Sequence, residues 1–478
     1  MKSILLIAAS EWRYWLRSHL ALAAALIFFV LIIAVSVLTA ARMEAEKHAR
    51  SHQQAEAEET FLAQPDRHPH RMVHYGHYLF RTPAPLSIFD PGLDTVTGQS
   101  IFLEGHRQNT VMFAESSASA DFGGLSWLSP ALVYQLFAPL VIILLGHGCI
   151  SRERESSVLT PLLAMGISGH QLILGKALAL VSFTVLLLLP LIASGAIALA
   201  NGESVVALLS LFGVYGAYLL IWVILTLLIS ATLSKRSTAL GAMTGLWIGF
   251  CLVLPSIAVN ITTDAKTVAG KIETDLTMLS DLRKLGDGHN ANDPAFQQLR
   301  ADLLKQHDVE RIEDLPVNFR GVVAMASEEK LTKVLNEYAE SRMLAELQQE
   351  QHLLDYGLLT PVLAIASASR AIAGTDLAHY HHFQREAEAV RFDFVQGLNR
   401  AHVEELSYEN DINRNKDEAS WQRARIDASN WQVLEKFEFQ TTNISERVST
   451  VSSSIQMLLL WMLIAFGALL WRGGKIKP

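Results

Sequence analysis

The fold turns on GHGCISRERESSVLTPLLAMGISGHQLILGKALA, residues 146–179. An apolar run stops at Ile150, four alternating charges follow (Arg152, Glu153, Arg154 and Glu155), and after a short mixed segment the chain turns apolar again. About 20 apolar residues carry a helix through the hydrocarbon layer. A charged patch this short between two such runs is therefore a loop joining two membrane crossings. Working outward, six runs of this kind occur, at about 20–41, 130–150, 171–199, 205–233, 238–261 and 455–471. Trp461 and Trp471 give the short last run interfacial anchors.

Lys and Arg near span ends set orientation. Arg13, Arg17, Arg152, Arg154, Lys235, Arg236, Arg472, Lys475 and Lys477 fall on one side if both termini are cytoplasmic. The expected organisation follows. Residues 1–41 form an interfacial helix and the first span. Residues 42–126 are a first extracytoplasmic segment. Residues 127–261 hold spans two to five with the cytoplasmic loop 151–170. Residues 262–453 form a large helical extracytoplasmic domain, and 454–478 the sixth span and a cytoplasmic tail. NGES, residues 201–204, reads as a tight external turn. In MKSILLIAASEWRYWLRS, residues 1–18, one helical face carries Ile4, Leu5, Ala8, Trp12, Trp15 and Leu16, with Lys2, Glu11, Arg13 and Arg17 off it. That pattern predicts an amphipathic helix lying on the membrane surface.

Several function classes drop out. GHQLILGKA, residues 169–177, is not a phosphate loop. Five residues separate Gly169 from Gly175 where four are needed, and Ala177 replaces the hydroxyl that would hold magnesium. No HExxH or GxSxG occurs, and the apolar runs hold almost no acid for proton- or sodium-coupled transport. No catalytic residue is assigned, so the chain is expected not to be an enzyme. Any energy for transport would come from a partner. Cys149 and Cys251 both lie in apolar runs, which leaves no disulfide framework outside. The net charge of -8 is split between compartments, and no basic stripe points to nucleic acid.

ISRERESSVLTPLLAMGISGHQLILGKALA resembles the hallmark loop of ABC-2 type permeases over residues 151–176: an alternating charged block, a Leu-rich turn, and a Gly-Lys entering the next span. Ser151 stands where glycine or alanine is commoner, and Val158-Leu159-Thr160 replaces a more polar run. HYGHYLFRTPAPLSIFDPGLDTVTGQSIFLEGHRQN (74–109), LPVNFRG (315–321) and AIAGTDLAHYHHF (371–383) resemble a subfamily of those permeases with a large extracytoplasmic domain of unknown function. The resemblance implies an all-α integral membrane protein with six transmembrane helices, ABC-2 or type V exporter-like, carrying a mainly helical extracytoplasmic domain. It implies a permease subunit, an exporter in the bacterial inner membrane. Two copies of a separate ATPase subunit would drive it and would hold the ATP and magnesium, with no cofactor in this chain. A second permease chain, identical or homologous, would complete the assembly within membrane lipid. Arg152, Glu153, Arg154 and Glu155 would couple it to the ATPase. The alternative is a membrane-anchored mechanotransmitting or assembly module whose external domain acts on a periplasmic partner protein.

The external parts read as helical. Residues 263–285, 327–354 and about 384–436 have helical apolar spacing, and Asp293 with Pro294 opens another helix. The 42–126 segment is expected to pack on these helices, with 81–109 as turns and irregular pieces. LLTPVLAIASASRAIAGTD, residues 358–376, is apolar, but Pro361 and Arg370 argue against a seventh span. It is expected at the outer interface or packed under the domain. Asp376, His379, His382 and Glu386 share one helical face as a polar cluster, and His68, His70, His74 and His77 form a second group. Both are expected to be ordinary polar structure, with no metal site assigned. Pro139, Pro190 and Pro255 each remove a backbone bond inside a span. The small residues in FGVYGAY (212–218) and GAMTGLWIG (241–249) are expected to serve packing within the bundle, or else a seam between two copies.

Overall fold

The computed structural model describes residues 2–111, 128–431, 439 and 442–476. Lys477, residues 112–126 of the first polar segment, and the end of the 384–436 stretch beyond Trp431 lie outside the described residues.

Six helices are long and apolar enough to cross a membrane: Leu20–Leu62, Pro130–Glu155, Gly169–Ala200, Val205–Thr232, Arg236–Ala265 and Ser452–Gly474. They coincide with the six apolar runs. The first continues well past its apolar part, because its polar continuation is rich in helix formers and bonded at i,i+4, as in Arg42 to Glu46 at 2.8 Å. This extension rises roughly 30 Å out of the apolar layer, at 1.5 Å per residue. Among the described residues the one sheet is a two-stranded antiparallel ribbon, His77–Phe80 against Ser100–Leu103, with His77 opposite Leu103. The second strand replaces part of the irregular stretch expected at 81–109.

Val205–Thr232 is the axis of the bundle. Its Tyr215, Tyr218, Ile221 and Trp222 are fully buried among the neighbouring spans. Leu26, Ile27, Leu38, Leu252, Leu463 and Ile464 face outward on other spans, as side chains solvated by lipid do. Each proline expected to break a span has a visible accommodation. Pro139 follows the π-helical turn Val133–Phe137, and Pro255 follows the π-helical turn Gly249–Val253. Pro190 follows the break at Leu188 between Gly169–Leu187 and Leu189–Ala200. A proline ring clashes with the carbonyl four residues back, and a widened or broken turn removes that carbonyl from its path.

In the N-terminal helix, Lys2–Arg17, the expected apolar face is divided between the bundle and the outside. The helix packs along Gly169–Leu187, where Gly175 admits Ile7 so closely that an added Cβ would lie 2.6 Å from the Ile7 Cβ. Ala8, Glu11 and Trp15 are its buried line, while Leu5 and Leu16 are exposed. The reason is electrostatic: Glu11 has buried cations to meet on the bundle, so the helix rotates the acid inward.

Beyond the spans, the two polar segments share one body. Phe319–Asp355 and Leu377–Glu404 are long packed helices, and Phe61, Met72, Val73, Leu79, Ile101 and Leu103 of the first segment form a common core with Phe383, Phe394 and Leu398. Residues 358–376 make the helix Pro361–Ala373, which Thr360 starts and Gly374 ends at φ 73°. Its 13 residues span roughly 20 Å, too short to cross a bilayer. Val362, Ala364, Ile365, Ala368 and Ile372 are buried in the same core as the spans. Of the two places expected for it, it takes the one under the polar domain.

Candidate functional site

The charged loop is a one-turn helix, Ser151–Glu155, then a turn through Ser157 at φ 57°, then the helix Leu159–Ala164. Its charges are engaged with the rest of the chain. Arg152 Nη2 donates to Glu11 Oε1 at 2.6 Å, and its guanidinium lies 3.7 Å above the Tyr14 ring. Lys176 donates to both Glu11 and Glu153. Lys176 and Glu11 are each 2 % exposed, so this is a balanced set of two cations and two carboxylates inside the protein. Buried ions are tolerated when paired and hydrogen-bonded in this way. Arg154 donates to the carbonyls of Ala231 and Leu233, both at 2.9 Å, capping the negative end of Val205–Thr232. Glu155 accepts the Arg236 N–H at 3.1 Å. Ser230 Oγ accepts from the N–H groups of Ile150 and Ser151 at 3.0 and 3.2 Å.

Arg152, Glu153, Arg154 and Glu155, the residues expected to couple to a partner, fix the segment within the chain to the N-terminal helix and to the third, fourth and fifth spans. The exposed side chains are Glu155, Ser156, Ser157, Val158, Thr160, Pro161, Ala164 and Met165, the last 71 % exposed. The chemistry on offer is mechanical: a small knob of mixed polar and apolar side chains on a rigid mount. Lys176 and Glu11 were missed as site residues. The available signals were a lysine one residue after Gly175, at the start of an apolar run, and a lone acid among tryptophans.

At the opposite end of the bundle a buried polar chain ties the domain to the spans. Ser369 Oγ donates to Asp90 Oδ2, Tyr215 OH lies 2.9 Å from Ser369 Oγ, and Gln135 donates to Tyr215 at 3.0 Å. Nearby, Arg447 makes a two-pronged bond to Glu203, at 2.8 and 3.1 Å, and donates to the Ile372 carbonyl at 3.0 Å.

The expected face of Asp376, His379, His382 and Glu386 resolves into two separate pairs. Asp376 caps Leu377–Glu404 by accepting the His379 N–H at 3.1 Å, and it also meets His379 Nδ1, whose other nitrogen meets the Thr442 hydroxyl. Burial alone would raise the Asp376 carboxyl, but the His379 bond and charge outweigh it and hold it below the usual range. His382 Nε2 lies 3.1 Å from Glu386 Oε1. Asp376 and His379 are helix-terminal structure, and His382 and Glu386 are a pair within the helix, with no shared centre.

Two other groups converge among the described residues: His68, His402 and Asp411, and His70, His74, His106 and His289. The first is saturated. Asp411 takes bonds from His68 at 3.1 Å, His402 at 2.8 Å, Asn318 at 3.2 Å, Arg320 at 3.3 Å, and Arg414. Burial opposes the charged form of Asp411, but these donors and cations win and push its pKa far below the carboxylate range. Two guanidiniums there repel any metal ion. His77, the remaining member of the sequence group, instead packs on Phe61, with its pKa lowered to about 4 by burial.

In comparison with known proteins, the profile of a domain of unknown function (DUF3526) matches residues 271–440. The match covers the polar helical domain and none of the six spans. No curated protein matches the chain.

Proposed function

We propose that this chain is the permease subunit of an ATP-driven exporter of the ABC-2 kind, with the 151–164 segment as the contact for a separate ATPase subunit. The observation that carries the reading is the ion-pair set of buried Glu11 and Lys176 with half-buried Arg152 and Glu153. It couples a small exposed knob rigidly to the N-terminal helix and the second and third spans, so a push on the knob moves the bundle as a unit. A second feature supports a paired assembly. Gly241, Gly245 and Gly249 make a row of small residues on the fifth span that touches nothing within 4 Å where a Cβ would stand. A bundle-packing role leaves such a row covered. A second permease chain would cover it by close helix approach. In this reading the knob side is cytoplasmic and the polar domain extracytoplasmic.

The test is purification of the chain from its native membrane, followed by identification of co-purifying subunits and measurement of ATP hydrolysis. The double variant Val158→Asp, Met165→Asp changes only exposed side chains. It is expected to lose ATPase retention while melting like the parent. Full retention and hydrolysis in that variant, or no ATPase in the parent complex, would remove the reading. A stably bound soluble protein with no translocated molecule would favour the assembly-module alternative.

A further inference from the structure

We propose that His70, His74, His106 and His289 bind one divalent transition-metal ion, zinc in first place, and that the ion cross-links the two polar segments. This inference is independent of the transport reading. The four residues each offer a nitrogen, and all of these atoms lie within 4.8 Å of one another. The six ring-to-ring separations run from 4.7 to 6.0 Å. The two longest, His70 to His106 at 5.6 Å and His74 to His289 at 6.0 Å, are opposite pairs but fall short of the diagonals of a square with these sides, so the four rings form a flattened tetrahedron. Tetrahedral nitrogen ligation at roughly 2.0–2.1 Å is the preference of zinc. An all-imidazole set disfavours calcium and magnesium, which take oxygen donors.

The rings are aimed. His70 and His74 stand four residues apart on the helix Pro69–Tyr75, on one face, with their Nε2 atoms 3.2 Å apart. His106 has φ 63°, a left-handed conformation uncommon for a residue with a Cβ. Glu328 Oε2 lies 2.8 Å from His106 Nδ1, and Asp287 Oδ1 lies 3.2 Å from His289 Nδ1. Each carboxylate holds the Nδ1 proton and so leaves Nε2 as the lone-pair atom, the arrangement that orients metal-binding histidines. The Nε2 of His106 is buried and has no hydrogen-bond partner among the described residues. Buried polar atoms are nearly always satisfied, so an orphan here points to a missing ligand.

His289 comes from the loop between the helices Lys271–Leu282 and Gln297–Gln306, the other three from the first segment. That loop is otherwise fastened near its tip by its own turn, Asp293 accepting the N–H groups of Asp287 at 3.0 Å and Ala295 at 2.9 Å. An ion would pin it to the His70 helix.

The experiment uses untagged full-length protein in detergent, stripped with a chelator and titrated with zinc at fixed pH. One zinc per chain is expected. His74→Ala and His289→Ala, both at exposed positions, should each weaken binding about 100-fold. Asp287→Asn should weaken it about 10-fold through loss of orientation. Cobalt in place of zinc should show the intense visible bands of a tetrahedral site, and zinc should slow hydrogen exchange in residues 286–293. Absence of stoichiometric zinc in the parent overturns the proposal, as does binding that survives the His74→Ala, His289→Ala double change in a protein of unchanged melting.

Discussion

Lys176, at the start of the third span, and Glu11, in the N-terminal helix, form an ion pair from which solvent is almost wholly excluded. Removing one charge leaves the rest unbalanced in a medium that solvates ions poorly, which costs about 3–5 kcal/mol. Glu11→Gln and Lys176→Met are each expected to lower the melting temperature of the detergent-solubilised protein clearly. The double variant keeps Arg152 and Glu153 as a neutral remainder. It should melt well above the sum of the single losses, since neighbouring sites couple. Strict additivity would mean the pair is not the unit described here.

Gly321 lies where Phe319–Asp355 meets the end of Leu377–Glu404. A Cβ there would lie 2.8 Å from the Val403 nitrogen and 2.9 Å from the His402 carbonyl carbon. Both are backbone atoms, so the crossing itself must open. Gly321→Ala is expected to cost about 1–3 kcal/mol of domain stability, as overpacking does. Denaturant unfolding of the whole protein followed by tryptophan fluorescence measures it. An unchanged midpoint would show that the two helices have slack.

The spans were legible because periodicity and length alone define a membrane helix, and the 151–170 loop was legible because charge interrupts that pattern. The direction in which those charges point was not. Arg152 to Glu155 look like a surface patch in one dimension, yet their partners Glu11, Lys176, Ala231 and Arg236 come from distant parts of the chain. Helical spacing likewise placed His379 and His382 on one face. It could not reveal that Asp376 caps the helix while Glu386 pairs separately. The four-histidine group escaped for a related reason. His70 and His74 are visible as an i,i+4 pair, but His106 joins them through the folding back of the same segment, and His289 only through the packing of two segments separated by four spans. Short-range periodicity carries local structure, and long-range pairing of single polar residues leaves no periodic trace.

Asp411 allows a prediction with a definite pH sign. Its carboxyl is depressed in the folded protein, with His68, His402, Arg320, Arg414 and Asn318 facing it. A depressed carboxylate contributes stability that is present above the unfolded value of about 4 and is lost as pH falls towards the folded value. Asp411→Asn should therefore destabilise the polar domain by about 3–5 kcal/mol. The gap from the parent should be the same at pH 8 and pH 5 and should narrow only on further acidification. A gap that has already closed at pH 5 would contradict the assignment.

Arg447 and Glu203 offer the sharpest test of how the polar domain is joined to the spans. Glu203 sits in the turn between the third and fourth spans, and Arg447 in the short helix leading into the sixth. The side chains are 2 % and 6 % exposed, and the guanidinium also bonds the Ile372 carbonyl near the end of Pro361–Ala373. One cation thus fastens three elements where bundle and domain meet. Charge-assisted two-pronged bonds are geometrically demanding, and lysine cannot reproduce the planar fork. Arg447→Lys should retain the charge yet lose part of the stability. Arg447→Met should lose more, about 3–5 kcal/mol, because Glu203 is left buried and unpaired. Adding Glu203→Gln to Arg447→Met should restore part of the loss. Hydrogen exchange would locate the damage, with faster exchange expected in 361–373 and 444–450 ahead of the central span Val205–Thr232. Exchange that rises equally throughout the bundle would show that the pair supports the whole fold and is not a joint between two parts.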